Sequence, residues 1–272
     1  MDKYAVMGNP IGHSFSPFIH IAFAEETNQL LSYNAILVEA GKFPKEVSRF
    51  FTKGGKGLNV TVPFKQEAWA LAQDLSADAE IAGAVNTLFK DQDGRLQGHN
   101  TDGIGLIRDI KHNHKSSIKG KNVIVLGAGG AARGILLPLL RENPLSICIV
   151  NRTRSKAEEL AVLFSNYGKV TVCGIEDLKE KKSKPADWIF NASSASLQDE
   201  LPAIPASMLS HNTTCYDLMY SQEETTFCKW ARQTGAGKVF DGTGMLVEQA
   251  AESFYLWRGV RPTTLSVIQS LK

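Results

Sequence analysis

The chain has 272 residues, 43% of them apolar and 21% charged, which is usual for a globular protein and long enough for two domains. Thirty basic against 28 acidic residues leave a formal charge of +2, which excludes a bulk electrostatic footprint for nucleic acid or a membrane surface. The first residues, MDKYAVMGNP, contain no apolar signal core and no 18-residue apolar run follows, so we expect a cytoplasmic protein.

Strand and helix patterns alternate along most of the chain, which predicts an α/β protein with parallel sheets. In the first hundred residues, KYAVMGNP, YNAILVE and GLNVTVP are predicted strands, and helices are predicted after Ser16, over residues 43–52 and from Pro63 to Gln73. Pro63 suits a first helical turn because its φ is fixed and it lacks an N–H. VNTLFKDQDGRLQGHN is a predicted hairpin that turns at Asp93–Gly94.

A second domain is predicted to begin before NVIVLG, the strongest strand pattern in the chain. Further αβ units follow at SICIVNRT, KVTVCG, ADWIFNAS, TTCYDLMY and GKVFDG, and the helix GMLVEQAAESFYLWRG could return to the first domain. We therefore predict one domain from residues 1–104 with 243–272, and another from residues 105–242. The second is predicted to be Rossmann-like.

The cysteines and histidines suggest no metal site. Four cysteines without C-x-x-C spacing fit buried or incidental thiols in a reducing compartment. The six histidines are scattered, and none is assigned a ligand role.

The strand NVIVLG runs directly into GAGGAARGILLPLL, which places Gly127-x-Gly129-x-x-Ala132 at a strand-to-helix turn. Small residues there let the backbone approach a pyrophosphate, and the helix N-terminus supplies N–H donors and a positive dipole end. Between a β-branched strand and a long apolar helix, this pattern predicts a dinucleotide site. The alternative is a merely tight turn.

The next predicted strand ends in NRTRSK, where the fingerprint expects an acidic residue for the adenosine ribose. Asn151, Arg152, Thr153, Arg154 and Lys156 stand there instead. A guanidinium suits a 2′-phosphate, which a carboxylate would repel, so we expect NADP as the cofactor. The alternative, solvated charges at a helix start, is weakened because cations are unfavourable at a helix N-terminus without an anion.

Polar residues of the first domain also stand at element ends. Ser16 before Pro17 could be an N-cap, whereas Ser14 and Ser16 together could hold a small carboxylate near a helix N-terminus. Asp102 could cap the next helix or serve a site. Lys65 in a first helical turn opposes the helix dipole, which suggests a function, although it could be an exposed lysine.

Taken together, MGNPIGHSFSP, GLNVTVPFK, GAVNT, NTDG, GAGGAARG, NRT, YDLMY and DGTGMLVEQA resemble the shikimate dehydrogenase family, in this order and over nearly the whole chain. The resemblance implies an NADP-dependent reversible reduction of 3-dehydroshikimate to shikimate, on the pathway to aromatic amino acids. It also implies two α/β domains with the active site in the cleft between them. Quinate dehydrogenase shares most of these motifs and stays a rival.

The family's site residues can be carried over position by position. The resemblance implies Lys65 and Asp102 as the catalytic pair, and it assigns the substrate carboxylate to Ser14, Ser16 and Tyr220. It assigns contacts to the ring hydroxyls to Thr61, Asn86, Gln249 and Asp102 as well. Cofactor positions are Gly127, Gly129, Gly130, Ala131, Asn151, Arg152, Thr153, Arg154, Lys156, Gly242 and Met245.

Two departures from the family pattern are visible. The second basic residue after NRT is Lys156, with an additional Arg154 between, and both are ranked below Arg152 as phosphate contacts. Ser196 stands where the family usually has glycine on a cofactor-side loop.

The reduction of a ketone by hydride would explain why a lysine stands at position 65. Negative charge develops on the ketone oxygen, which finally takes a proton, so the site needs a cationic or proton-donating group. We expect Lys65 to be this group and Asp102 to orient it. The partner is then a small molecule, with no nucleic acid or membrane, and the enzyme is a monomer or homodimer. A nucleotide-binding regulator without turnover is the alternative from another class.

Overall fold

A computed structural model describes residues 1–174, 176, 178, 184–193, 200–201, 204–221 and 223–271. The chain divides into two compact units. Unit 1 comprises residues 1–106 and 247–272, and unit 2 comprises residues 107–246. Within the described residues, no helix has the length and apolar character needed to cross a membrane.

Unit 1 is built on a six-stranded mixed sheet with the order β2-β1-β3-β5-β6-β4. Its strands are β1 Asp2–Gly8, β2 Leu31–Leu37, β3 Gly55–Val60, β4 Asp74–Leu75, β5 Thr87–Lys90 and β6 Leu96–His99. The helices of this part of the chain are α1 Ser16–Glu26, α2 Phe43–Thr52, α3 Lys65–Leu71, α4 Ala77–Ala82 and α5 Asp102–Arg108, the last of which continues into unit 2. Strands β1, β2 and β3 run parallel, and β5 is antiparallel to both β3 and β6.

Apolar side chains cover one face of this sheet. Helix α2 buries Phe43, Val47 and Phe51, whose spacing of four residues places them on one helix face. Phe43 stacks on Phe64 with ring centroids 4.8 Å apart, and both rings are almost fully buried. Each buried ring contributes roughly 1.5–3 kcal/mol by leaving water. This core fixes the backbone just before Lys65.

The predicted hairpin is confirmed, because β5 pairs antiparallel with β6 and Gly94 has φ +79° in the connecting turn. The prediction that Pro63 opens a helix is wrong. The N–H of Phe64 donates to the carbonyl of Thr61 at 3.0 Å, so Pro63 lies inside a turn and the helix begins at Lys65.

The N-cap role proposed for Ser16 is also wrong. Ser16 is the first residue of α1, and Phe15 before it already has helical φ and ψ. The Ser14 hydroxyl accepts from the Ser16 N–H at 3.3 Å. The local capping contact therefore comes from Ser14, because the chain turns one residue earlier than the proline suggests.

Unit 2 is a six-stranded sheet with the order β12-β11-β10-β7-β8-β9, in which every described pairing is parallel. Its strands are β7 Asn122–Leu126, β8 Ser146–Val150, β9 Val170–Cys173, β10 Trp188–Asn191, β11 Thr214–Asp217 and β12 Lys238–Phe240. The described helices are α6 Gly130–Arg141, α7 Arg154–Phe164 and α8 Thr226–Thr234, and α9 Thr243–Arg258 and α10 Leu265–Ser270 follow.

The strand order of unit 2 reverses at β7, which pairs with β8 on one side and β10 on the other. Open parallel sheets bind ligands at the carboxyl ends of their strands, beside such a reversal. The helix that follows β7 packs Ile135, Leu136 and Leu139 into the core with no exposed surface. The two-domain α/β architecture predicted from the sequence is confirmed.

His20 gives unit 1 a predicted pH dependence. Its ring stacks on Tyr33 with centroids 4.2 Å apart, is 1% exposed, and has no hydrogen-bond partner for either ring nitrogen among the described residues. Burial lowers the pKa of His20 to about 3. The unfolded chain, with an ordinary pKa near 6.5, binds this proton first, so stability is lost as the pH falls below about 6.5.

We expect this histidine to account for about 2 kcal/mol of the loss in unfolding free energy between pH 7 and pH 5. In His20→Phe, which keeps a ring against Tyr33, that part of the pH dependence should disappear from urea unfolding curves. The exposed His112, changed to glutamine, is the matched control and should leave the dependence intact. Equal pH slopes for the parent and His20→Phe would refute the assignment.

Candidate functional site

Polar segments meet at one edge of the sheet in unit 1. The carboxyl ends of β1, β3 and β6 lie at this edge, together with the start of β5, because β5 runs opposite to β3 and β6. The N–H of Val60 donates to the carbonyl of Asn86 at 2.8 Å, and the N–H of Asn86 donates to the carbonyl of His99 at 3.0 Å. Residues distant in sequence are thereby brought together.

Lys65 and Asp102 form an ion pair at this edge. The ammonium Nζ of Lys65 lies 2.5 Å from Oδ2 of Asp102, and the two side chains are only 13% and 7% exposed. A largely desolvated pair has a stronger interaction than a surface pair, and each charge depends on its partner. This geometry fits neither an exposed Lys65 nor an Asp102 that only caps a helix. The N–H of Asp102 is instead capped by Oδ1 of Asn100 at 3.1 Å.

Asn86 connects this ion pair to the rest of the site. Its Nδ2 donates to Oδ1 of Asp102 at 2.9 Å, to the Thr101 hydroxyl at 2.9 Å and to Oε1 of Gln249 at 3.3 Å. Its Oδ1 accepts from the Thr101 N–H at 2.9 Å. The structure therefore brings four of the predicted residues, Lys65, Asn86, Asp102 and Gln249, into one hydrogen-bonded network.

Behind this network lies a buried support that the sequence did not reveal. The Ser253 hydroxyl has no exposed surface, accepts from Nδ2 of Asn59 at 3.0 Å, and lies 2.8 Å from the Thr87 hydroxyl and 3.2 Å from that of Thr101. It also donates to the carbonyl of Gln249, one helical turn earlier, at 3.1 Å. The four-residue spacing of Gln249 and Ser253 was the available signal, because it places both on one helix face.

Ser14, Ser16 and Thr61 lie at the same sheet edge, on the segments that follow β1 and β3. Thr61 is fixed by its N–H, which donates to the carbonyl of Met7 at 2.9 Å. Ser14 is half-buried and Ser16 is 7% exposed. Their hydroxyl groups, beside the N-terminus of α1, are of the type that binds a small carboxylate.

In unit 2 the glycine-rich turn follows β7. Gly127 has φ +108°, and an added Cβ would lie 2.9 Å from the carbonyl oxygen of Ala192, so a larger residue is excluded there. Gly129 precedes α6 in extended conformation, and Gly130 and Ala131 form its first turn. The unpaired N–H groups of that turn can bind a pyrophosphate.

The basic segment after β8 lies beside this turn, since Leu126 and Val150 are register partners and the N–H of Gly127 donates to the carbonyl of Val150 at 2.8 Å. Asn151 folds the segment through a bond from its Nδ2 to the carbonyl of Thr153 at 2.8 Å. The first turn of α7 carries no acidic residue. An anion would compensate this positive helix end.

The three cations of this segment have different surroundings. Arg154 donates from Nε to Oε1 of Glu158 at 2.9 Å on the outer face of α7. Arg152 and Lys156 are exposed and form no ion pair within the part of the chain that the structure describes. A bound phosphate would therefore meet less competition from carboxylates at Arg152 and Lys156 than at Arg154.

The loops after β10, β11 and β12 are tied together at the same edge of unit 2. Asp217, with no exposed surface, accepts from Nδ2 of Asn191 at 3.0 Å and from the Thr225 hydroxyl at 2.7 Å. The N–H of Gly242 donates to the carbonyl of Met219 at 2.9 Å, next to Tyr220.

The remaining positions of unit 2 singled out from the sequence are Tyr220, Gly242, Met245 and Ser196. Tyr220 is half-buried in the loop after β11, and its predicted substrate contact stays a prediction. Gly242 and Met245 flank the start of α9 and are buried. Ser196 lies outside the described residues. Within those residues, no group of three or more histidine, cysteine or carboxylate side chains is placed to hold a metal ion.

Comparison with protein families gives three matches along the chain. The substrate-binding domain of shikimate dehydrogenase matches residues 6–88, shikimate / quinate 5-dehydrogenase matches residues 109–211, and the shikimate 5′-dehydrogenase C-terminal domain matches residues 242–272. A shikimate dehydrogenase (NADP(+)) from Marinobacter nauticus is 50% identical over 274 residues, covering 100% of this chain and 98% of the relative.

Solved structures agree with these matches. An Ael1 enzyme from Pseudomonas putida has a TM-score of 0.90 and 43% identity, covering 100% of this chain and 98% of that chain. The shikimate 5-dehydrogenase from Thermus thermophilus in complex with NADP(H) and shikimate has a TM-score of 0.86 and 32% identity, covering 100% and 98% respectively.

Proposed function

The chain belongs to the shikimate dehydrogenase family, and we propose that it catalyses the NADP-dependent reversible reduction of 3-dehydroshikimate to shikimate. In this proposal unit 1 is the substrate-binding domain and unit 2 the NADP-binding domain. The single observation that carries the proposal is the buried Lys65–Asp102 pair, held by Asn86 and Gln249 at the sheet edge of unit 1.

The residues of unit 2 fit NADP. Gly127 leaves no room for a side chain where a pyrophosphate would approach, and α6 presents its free N–H groups beyond it. The segment after β8 has Arg152 where a carboxylate would be needed for the 2′-hydroxyl of NAD. Because its guanidinium lacks a carboxylate partner in the described chain, it is available to a 2′-phosphate.

The geometry of the unit 1 residues supports the following roles in the proposed reaction. When bound, NADPH supplies the hydride that adds to the carbonyl carbon. Lys65 hydrogen-bonds the ketone oxygen, stabilises its developing negative charge and delivers the proton. Asp102 fixes the direction of the ammonium through Oδ2, while Asn86 fixes the carboxylate through Oδ1.

The other predicted contacts hold the substrate around this pair. Thr61 and Gln249, with Asn86, bind ring hydroxyls, and Ser14 and Ser16 bind the substrate carboxylate. These residues come from different segments of unit 1, Gln249 from within α9 and the others from segments that adjoin strands β1, β3 and β5. Tyr220 completes the carboxylate contacts in the proposal.

The first test is NADPH formation, followed by its absorbance, from shikimate and NADP with the purified protein. We expect turnover with shikimate and a higher kcat/KM than with quinate. A higher kcat/KM for quinate would instead identify the enzyme as a quinate dehydrogenase. NADP binding without turnover on either acid would instead favour the nucleotide-binding regulator.

The proposal also covers the cellular location and the oligomeric state. We infer a cytoplasmic location, supported by four free cysteines, two of them half-buried and two buried. The enzyme is proposed to act as a monomer or homodimer. Light scattering during size-exclusion chromatography measures which form is present, and a larger assembly would contradict this part.

A further inference from the structure

A buried polar cluster in unit 2 lies against the first turn of α9. Asp109 has no exposed surface, and its Oδ2 accepts from the Tyr216 hydroxyl at 2.6 Å and from Nε2 of His114 at 3.1 Å. Its Oδ1 accepts from Nδ2 of Asn113 at 2.8 Å. The carboxylate is thus surrounded by donors on a π-helical turn, residues 109–113, a rare conformation that is frequent at functional sites.

This cluster reaches the start of α9 in two ways. Gly244 packs so closely on the Asp109 carboxylate that an added Cβ would overlap Oδ1. The backbone N–H of Met245 also interacts with the Tyr216 hydroxyl and acts to lower its pKa. Met245 is in the first turn of its helix, where N–H groups have no intrahelical acceptor and can interact with neighbouring groups.

The charges of the cluster are consistent with fixed donors and acceptors. Burial and the nearby Asp109 carboxylate raise the pKa of Tyr216 well above its usual range, so its hydroxyl keeps the proton that it donates. Burial acts to raise the pKa of Asp109, but the bonds from His114, Tyr216 and Asn113 outweigh it and hold the pKa below its ordinary value. The carboxylate therefore stays ionised near neutral pH.

We propose that Asp109 and Tyr216 are positioning residues for the nicotinamide half of the cofactor, acting through the backbone of Gly244 and Met245. This inference rests on the proposed function and on the family resemblance, which implies that Gly242 and Met245 lie near the nicotinamide ring. In the same proposal the pyrophosphate binds at the turn of Gly127 and the adenosine phosphate binds at Arg152, and both lie in other loops. Loss of the Tyr216 hydroxyl should consequently disturb hydride transfer and spare the adenosine half.

The aromatic surroundings of Tyr216 make a clean variant available. Its ring packs against Phe190, at 5.8 Å between centroids, and Phe240, at 6.3 Å, and these contacts survive in Tyr216→Phe. The variant removes only the hydroxyl that donates to Asp109 and interacts with the Met245 N–H. Tyr167→Phe is the matched control, because Tyr167 is an exposed tyrosine of the same unit.

The test measures kcat with shikimate and NADP, KM for shikimate, and the Kd of adenosine 2′,5′-bisphosphate by calorimetry. For Tyr216→Phe we expect kcat to fall about 10- to 100-fold, as misplacement of a reacting group does, with the bisphosphate Kd and the KM for shikimate within about twofold of the parent. Asp109→Asn, which keeps the shape and removes the charge, should show the same split.

The outcomes separate the two proposals. If the parent turns over shikimate and Tyr216→Phe has an unchanged kcat, the positioning role is refuted while the proposed function stands. A merely structural role is indicated, and the inference overturned, if kcat and bisphosphate affinity fall together with the melting temperature. A parent without activity toward either acid contradicts the proposed function itself, and with it this inference.

Discussion

Changing Lys65 to alanine is expected to lower kcat by about 100-fold or more, with a much smaller change in KM for shikimate. The reason is that, in the proposed mechanism, the ammonium acts on charge that develops only as the ketone is reduced. A 100-fold loss corresponds to about 2.7 kcal/mol of transition-state stabilisation. Steady-state kinetics in both directions measure it, and a kcat equal to that of the parent would remove Lys65 from the chemistry.

Removal of one member of a desolvated ion pair can also destabilise the fold, since Asp102 is left without its cation. The double variant Lys65→Met with Asp102→Asn removes both charges and separates the two effects. We expect the double variant to regain much of the stability that Lys65→Met loses relative to the parent. The kcat should stay as low as in Lys65→Met. Lys45→Ala, at an exposed lysine of α2, should leave both quantities unchanged.

Changing Arg152 to alanine is expected to raise the KM for NADP by about 10- to 100-fold while the KM for NAD changes little. The range follows from the roughly 1.5–3 kcal/mol carried by hydrogen bonds to charged groups. The preference for NADP over NAD, measured as the ratio of the two kcat/KM values, should fall accordingly. An unchanged ratio would contradict the role of Arg152 as the 2′-phosphate contact.

The neighbouring cations provide internal controls for this experiment. Arg154 donates to Glu158, whereas Lys156 has no carboxylate partner in the described chain. We therefore expect Lys156→Ala to weaken NADP binding more than Arg154→Ala does. The reverse order would mean that the Arg154–Glu158 pair opens when the cofactor binds.

Several features of the fold followed from local patterns. The glycine-rich turn after β7 was predictable because a β-branched strand, small residues and an apolar helix occur in sequence. The start of α3 was not, since Pro63 suits both a first helical turn and a preceding turn. Ser14 and Ser16 were similarly ambiguous, because either hydroxyl can reach a backbone N–H near a helix start.

The site was predictable where a residue conflicts with its local environment. Lys65 drew attention because a cation is unfavourable at a helix N-terminus, and the structure pairs it with Asp102. The roles of Ser253 and Tyr216 were not predictable, because a serine in a helix and a tyrosine in a strand break no local rule. Their partners are far away in sequence, so only the folded chain reveals what their hydroxyls bind.

The Lys65–Asp102 pair also bears on how the two ligands respond to ionic strength. A paired ammonium and carboxylate carry no net charge, so an anionic substrate gains little long-range attraction from them, and short-range hydroxyl contacts must supply its affinity. Arg152 and Lys156 are exposed beside α7 and have no ion pair within the described residues. They are therefore open to screening by dissolved ions, which weakens attraction over distances of about 10 Å in 0.1 M salt. Added salt is thus expected to weaken chiefly the binding of the phosphorylated coenzyme and to change the affinity for the cyclic acid little.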